Sequence, residues 1–186
     1  MKKLKITINA GHGLKNSGVY DPGAIGPGGL REAEQNLEVA KILEKKLQAR
    51  GFETLLIQDG DLNDVVRESN RWQADYFIAL HCNASTASTA EGVETYAWLP
   101  GGMGERLAKA IQKELVLATG LRDRGVKYAN FRVLKDTDCP AVLVEAGFIT
   151  NPNTEKLMRQ DVFDEKVAGA IARGLEEAAF NRTVIK

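Results

Sequence analysis

Residues 74–85 read ADYFIALHCNAS. Within them, positions 76–80 (YFIAL) are almost wholly apolar, which marks a central strand buried on both faces. His81 follows at once. A histidine that ends a buried strand is either a satisfied core residue or a side chain aimed from a rigid scaffold. The patterns on either side decide which sheet this strand belongs to.

Toward the N-terminus, Leu4, Ile6 and Ile8 alternate with period two and predict a short strand. The stretch from Gly11 to Gly29 is rich in glycine, proline and asparagine and reads as a long loop without a regular element. From Glu34 to Arg50, Leu37, Ala40, Ile42, Leu43 and Leu47 form an apolar helical stripe, and Gly51 can end it. Residues 52–57 (FETLLI) predict a second strand and Asn63 to Ala74 a second helix.

Toward the C-terminus, Gly92 to Ala97 predicts a strand and Gly102 to Thr119 a long helix that Gly120 can cap. Phe131 to Leu134 is short and strand-like, and residues 141–144 (AVLV) read as a buried strand. Asn151 to Met158 starts a helix with Pro152 in its first turn, where proline is tolerated. Asp161 to Ala179 is the last long helix. Strands alternating with helices imply an α/β sandwich with a mostly parallel sheet. Sites in such folds gather beyond the carboxyl ends of strands. His12, His81 and Glu145 all fall at such positions.

The chain has 186 residues, enough for one domain with a hydrophobic core, and no Pro/Gly/Ser-rich linker divides it. The expected organisation is a single domain over 1–186. Lys+Arg 25 and Asp+Glu 25 balance, which argues against an electrostatic grip on nucleic acid or anionic lipid. No apolar run is long enough to cross a membrane, and the start MKKLKITINAGHG reads as a strand and not as an export signal. Two cysteines, Cys82 and Cys139, make neither a disulfide framework nor a four-cysteine metal cage, and read as two buried thiols.

The chain has two histidines, His12 and His81. His12 lies in NAGHG, where flanking glycines permit close backbone approach to a ligand. Alone it could be a loop histidine making an ordinary hydrogen bond. Glu32 precedes the first helix, where an acid can simply favour the positive helix end. It also lies near the end of the glycine loop that begins at His12, so it could complete a His2Glu set, a recognised arrangement for catalytic zinc. Glu145 ends AVLVE after four apolar residues. Such a glutamate either pairs with an arginine (Arg71, Arg122 or Arg124) or handles protons beside a metal. Together these residues point to a metallohydrolase, although neither HExxH nor CxxC is present.

In this order, NAGHG, EAEQNL, ADYFIALHCNAS, EGVETY, RGVK at 124–127 and PAVLVEAGFITNPNTEKL resemble the catalytic domain of zinc-dependent N-acetylmuramoyl-L-alanine amidases of the amidase-3 type. The similarity covers almost the whole chain. It implies a three-layer α/β/α sandwich around a mostly parallel, mixed sheet of about six strands. It implies one zinc ion per chain held by His12, Glu32 and His81, with Glu145 as the catalytic glutamate. It further implies peptidoglycan as the partner, with hydrolysis of the bond between muramic acid and L-alanine, and action at the bacterial cell wall. Without an export signal in the chain, the reading leans toward a phage lysin, with a host lysis or sporulation enzyme as the alternative. Departures are Asn9 and Ala33, where many relatives have aspartate and lysine, and Cys82, which is expected to pack away from the metal. The loops 14–30 and 84–91 are expected to line a groove, with Tyr96, Tyr128 and Phe131 as possible contacts to sugar or peptide. The alternatives are another zinc peptidase, such as a carboxypeptidase with an arginine clamp, and an inactive wall-binding relative.

Overall fold

The computed structural model describes residues 3–15, 17–58 and 61–181. Its main sheet has six strands: β1 (Lys5–Ala10), β4 (Glu53–Ile57), β5 (Tyr76–Asn83), β6 (Val93–Ala97), β7 (Asp123–Tyr128) and β8 (Ala141–Phe148). Their spatial order is β4-β1-β5-β8-β6-β7. Every neighbouring pair is parallel except β6 with β8, so the sheet is mixed.

Side-chain alternation sorts the strands into two faces. Ile6, Ile8, Ile78, Leu80, Val142 and Val144 meet one apolar cluster. That cluster is closed by the helices α1 (Glu32–Ala49), α3 (Met103–Thr119) and α6 (Asp161–Asn181). Phe77, Ala79, Ala141 and Leu143 face a smaller cluster with Val65 and Val66 of α2 (Leu62–Trp72) and Val133 and Leu134 of α4 (Arg132–Lys135). A further short helix, α5 (Pro152–Met158), is capped by Asn151, whose side chain accepts from the amides of Asn153 and Thr154. The layers are therefore helix, sheet, helix, and one helical layer is thin. The thin layer leaves the sheet end on its side open, and the candidate site lies there.

Two local expectations are corrected, and one strand, β7, was not anticipated. Residues 131–134 are not strand-like: Arg132–Lys135 is a helix turn. Val133 and Leu134 are adjacent yet both buried in the same cluster, which helical geometry permits and an extended strand does not. The glycine loop contains a small antiparallel pair, β2 (Gly13–Leu14) with β3 (Tyr20–Asp21), too short to leave a pattern. Strand β7 had no periodic signal because a bulge interrupts it. Two residues, Arg124 and Gly125, oppose Glu94 alone between the pairs Val93 with Asp123 and Thr95 with Val126. Gly125 takes φ +78 there. The central strands also run further than their apolar runs, so His81 and Glu145 lie inside β5 and β8.

Candidate metal centre

The open end brings together residues distant in sequence. His81 and Glu145 are register partners across β5 and β8. His12 follows β1, whose last amide-linked turn is fixed by Gly11 N–H donating to the Leu80 carbonyl at 3.0 Å. His12 itself has φ +64, an uncommon conformation for a residue with a Cβ. It aims the ring across the sheet end instead of along it. Glu32 enters from the thick layer, at the first turn of α1.

Donor atoms of His12, Glu32 and His81 all lie within 4.8 Å of one another. Glu32 Oε1 stands 3.3 Å from His12 Nε2 and 3.0 Å from His81 Nδ1. Glu32 is held by backbone donors as well: Cys82 N–H to Oε1 at 3.1 Å and Ala24 N–H to Oε2 at 2.9 Å. Asn36 bridges from the next helical turn to the Gly11 carbonyl. The Cys82 thiol lies on the opposite strand face, against Asn36 and the larger core, as alternation requires. Cys139 is only half-buried, so the expectation of two buried thiols holds for Cys82 alone.

The electrostatics favour a cation. Hydrogen bonding to Glu32 raises the His12 pKa to about 9, against the opposing effect of burial, and Asp21 adds to it. Burial pushes Glu32 upward, but its bonds to His12 and His81 hold it well below the usual carboxylate range. A site that binds a proton this firmly has negative potential in excess, where a metal ion can replace the proton. Two imidazoles and a carboxylate are also the donor types that suit zinc.

Asp21 was not singled out from the sequence. Its Oδ2 lies 3.2 Å from His12 Nδ1. That contact fixes the ring and leaves Nε2 directed at Glu32, the outer-shell arrangement common around metal-ligating histidines. The available signal was that Asp21 is the sole acid in the glycine loop.

Glu145 faces the same space. Its Oε2 is buried and has no hydrogen-bond partner among the described residues. Arg71, Arg122 and Arg124 do not pair with it, so the salt-bridge alternative fails. Burial, then the charges of Glu32 and Glu94, raise its pKa to about 8, opposed by His12 and Lys127. Arg124 is engaged elsewhere. Glu94, directly opposite Glu145 on β6, receives Arg124 Nε and Lys127 Nζ on Oε2, each at 2.6 Å. Tyr96 and Asn83 donate to its Oε1. Like charges opposite each other in a ladder repel. The bulge at Arg124–Gly125 relieves this by bringing both cations to one face, where regular alternation would separate them. The family segments EGVETY and RGVK thus meet at one carboxylate.

A cavity of about 330 Å³ opens over His12, His81 and Glu145. Its other walls include Asn9, Asp21, Leu62 and residues 131–133. Of the two loops expected to line a groove, the first contributes Asp21 and the second does not line this cavity. The α2 start and the 131–133 segment take its place, because the thin helical layer stops there.

The sequence pattern of the amidase-3 family, described as N-acetylmuramoyl-L-alanine amidase, matches residues 6–177. The chain belongs to the N-acetylmuramoyl-L-alanine amidase family. It is 41% identical over 175 residues to the N-acetylmuramoyl-L-alanine amidase LytC of Bacillus subtilis, covering 91% of this chain and 34% of that protein. The chain therefore spans about a third of LytC. It is 34% identical over 182 residues to the sporulation-specific N-acetylmuramoyl-L-alanine amidase of Bacillus subtilis, covering 94% of this chain and 68% of that one. Among solved structures it is similar to the catalytic domain of CwlV, an N-acetylmuramoyl-L-alanine amidase from Bacillus (Paenibacillus) polymyxa. There the TM-score is 0.87 and the identity 32%, with 95% of this chain and 98% of that chain covered. The three-layer mixed sheet agrees with that fold. Among the described residues no helix is long and apolar enough to cross a membrane.

Proposed function

We propose that this chain is, over 1–186, a single catalytic domain that hydrolyses the amide between the lactyl group of N-acetylmuramic acid and L-alanine in peptidoglycan. His12, Glu32 and His81 hold one zinc ion, and Glu145 moves the proton. The observation that carries this reading is the buried, unpartnered Glu145 Oε2 facing the three-donor cluster. Family membership supplies the substrate.

Zinc bound by these groups supplies Lewis acidity toward water and the scissile carbonyl. The chain's own residues do the rest. Asp21 and the backbone donors on Glu32 fix the ligand set before substrate arrives. Water attacks the amide carbon and gives a proton to the Glu145 carboxylate. The C–N bond then breaks, and Glu145 returns the proton to the departing amine of alanine. Burial, with the Glu32 and Glu94 charges, makes Glu145 a stronger base than an exposed carboxylate, and the open cavity above it admits a polymer.

A carboxypeptidase needs a free cation to clamp a terminal carboxylate. Arg132, the arginine lining the cavity, is held by Asn63 and Asp136 instead. An inactive wall-binding relative would be expected to have lost a ligand or Glu145, and all four are present. The test is digestion of purified peptidoglycan. New L-alanine amino termini without new reducing ends support the amidase; new reducing ends would instead identify a glycosidase.

A further inference from the structure

Glu94 and Glu145 face each other across β6 and β8, and their surroundings are opposite in kind. Glu94 is 2% exposed and accepts from four donors on three strands. Asn83 of β5 and Tyr96 of β6 donate to Oε1, at 2.8 and 2.7 Å. Arg124 and Lys127 of β7 donate to Oε2. Glu145 Oε2 is buried too, yet it has no partner among the described residues. Opposite residues in a ladder have Cβ atoms about 5 Å apart. A cation held by one of these carboxylates therefore lies within a side chain's reach of the other. Lys127 already acts on the Glu145 charge from its place on Glu94.

The two cations are not equally tied. The Arg124 guanidinium also lies over the Phe148 ring, 4.8 Å from its centroid, and Nη1 donates to the Glu91 carbonyl. For Lys127, Glu94 is the only ion-pair partner among the described residues, and its ammonium is 5.8 Å from the Tyr96 ring centroid. Its four-carbon stem is flexible. Without Glu94 this ammonium would be left beside an unpartnered buried carboxylate, and such a charge gains strongly from pairing. The strand order makes that pairing harmful. β8 stands between β5, which carries His81, and β6 followed by β7, which carry Glu94 and Lys127. A Glu145 carboxylate drawn to Lys127 would turn away from the three-donor cluster, with its lone pairs engaged.

From this contrast we infer that Glu94 is a positioning residue for the reaction: it holds Lys127 on the β6–β7 side and so keeps Glu145 unpaired and directed at the metal cluster. The inference rests on the reading of Glu145 as the base. It differs from a purely structural role, in which losing the buried ion pair would lower stability and leave Glu145 as it is.

The test uses the full zinc-loaded chain with a soluble muramyl peptide as substrate. Glu94→Gln keeps the shape of the side chain and releases Lys127. A crystal structure of this variant should show Lys127 Nζ within hydrogen-bond distance of the Glu145 carboxylate. Its zinc content should equal that of the wild type, and kcat should fall roughly 10- to 100-fold with KM little changed. Adding Lys127→Met removes the competing cation, so the double variant should be more active than Glu94→Gln by about tenfold. Glu94→Asp keeps the buried charge and serves if Glu94→Gln does not fold. Its carboxylate is one methylene further from Lys127, so the same loss and the same rescue are expected at smaller size. A double variant no more active than the single overturns the inference. So does wild-type turnover in Glu94→Gln, or a Lys127 that stays away from Glu145. Cleavage by the wild type reports on the amidase reading separately. If it fails while Lys127 moves onto Glu145 in the variant, the holding role of Glu94 stands and the amidase reading falls.

Discussion

A Cβ on Gly11 would stand 2.3 Å from Cε1 of the His81 imidazole. The missing side chain at position 11 is the space that the ring occupies. Glycine at this position therefore serves His81, not only the flexibility of the loop. Gly11→Ala must displace the ring, so zinc affinity should fall roughly 10- to 100-fold while the sheet remains folded. Zinc stoichiometry after chelator competition, alongside far-UV dichroism, measures both. Full zinc occupancy at wild-type affinity would show that the ring has another place to go.

Glu145→Gln keeps size and burial but removes the base. Zinc content should be unchanged and turnover on peptidoglycan should drop by about 10²–10⁴-fold. Loss of zinc together with turnover would move Glu145 from proton transfer to metal binding.

In metal-free protein the same residue sets a pH dependence. Its folded pKa is raised to about 8 from a usual 4.5 by burial and by the charges of Glu32 and Glu94. Between those values the folded chain holds the proton more strongly than the unfolded chain. Stability therefore falls as pH rises from about 4.5 toward 8. Glu145→Gln removes this contribution, so the metal-free variant should be the more stable by up to about 3 kcal/mol at pH 7, with the difference vanishing near pH 4.5. Denaturant unfolding in chelator across this range checks the slope. A wild-type advantage that grows with pH would contradict the sign.

Glu155 is buried and holds the glycine loop from α5, accepting Gly28 N–H at 2.6 Å and Leu30 N–H at 3.0 Å. Arg159 bonds the Gly28 carbonyl at 2.6 Å. The same loop supplies Ala24 N–H to Glu32. Glu155→Ala strands these donors and should lower stability by about 1–3 kcal/mol. It should also weaken zinc roughly tenfold, with turnover at saturating zinc near that of the wild type. Thermal melts and a zinc titration separate the two effects.

The sequence made the long elements readable because burial writes a pattern into them, a continuous apolar run or a helical stripe. YFIAL and AVLV lie in strands buried on both faces, and the stripe from Leu37 to Leu47 marks the side of α1 that faces the sheet. What escaped reading was short or irregular. Strand β7 is broken by its bulge, the β2–β3 pair is two residues a side, and α4 is a single turn. For the site, Glu145 stood out because it ends an apolar strand, whereas His12, Glu32 and His81 each had an ordinary local reading and were joined into one set by the ordered family segments. Asp21, Glu94 and Glu155 could not, since their partners lie on other elements and an acid on a loop or strand edge looks ordinary until its partner is placed.

The three candidate ligands come from the turn after β1, from β5 and from α1, whereas Glu145 comes from β8, the strand that joins the parallel part of the sheet to antiparallel β6. On the proposed roles, metal capture and proton transfer would be written into separate pieces of the chain. On those roles, a change confined to β8 would end cleavage and leave the three-donor cluster intact.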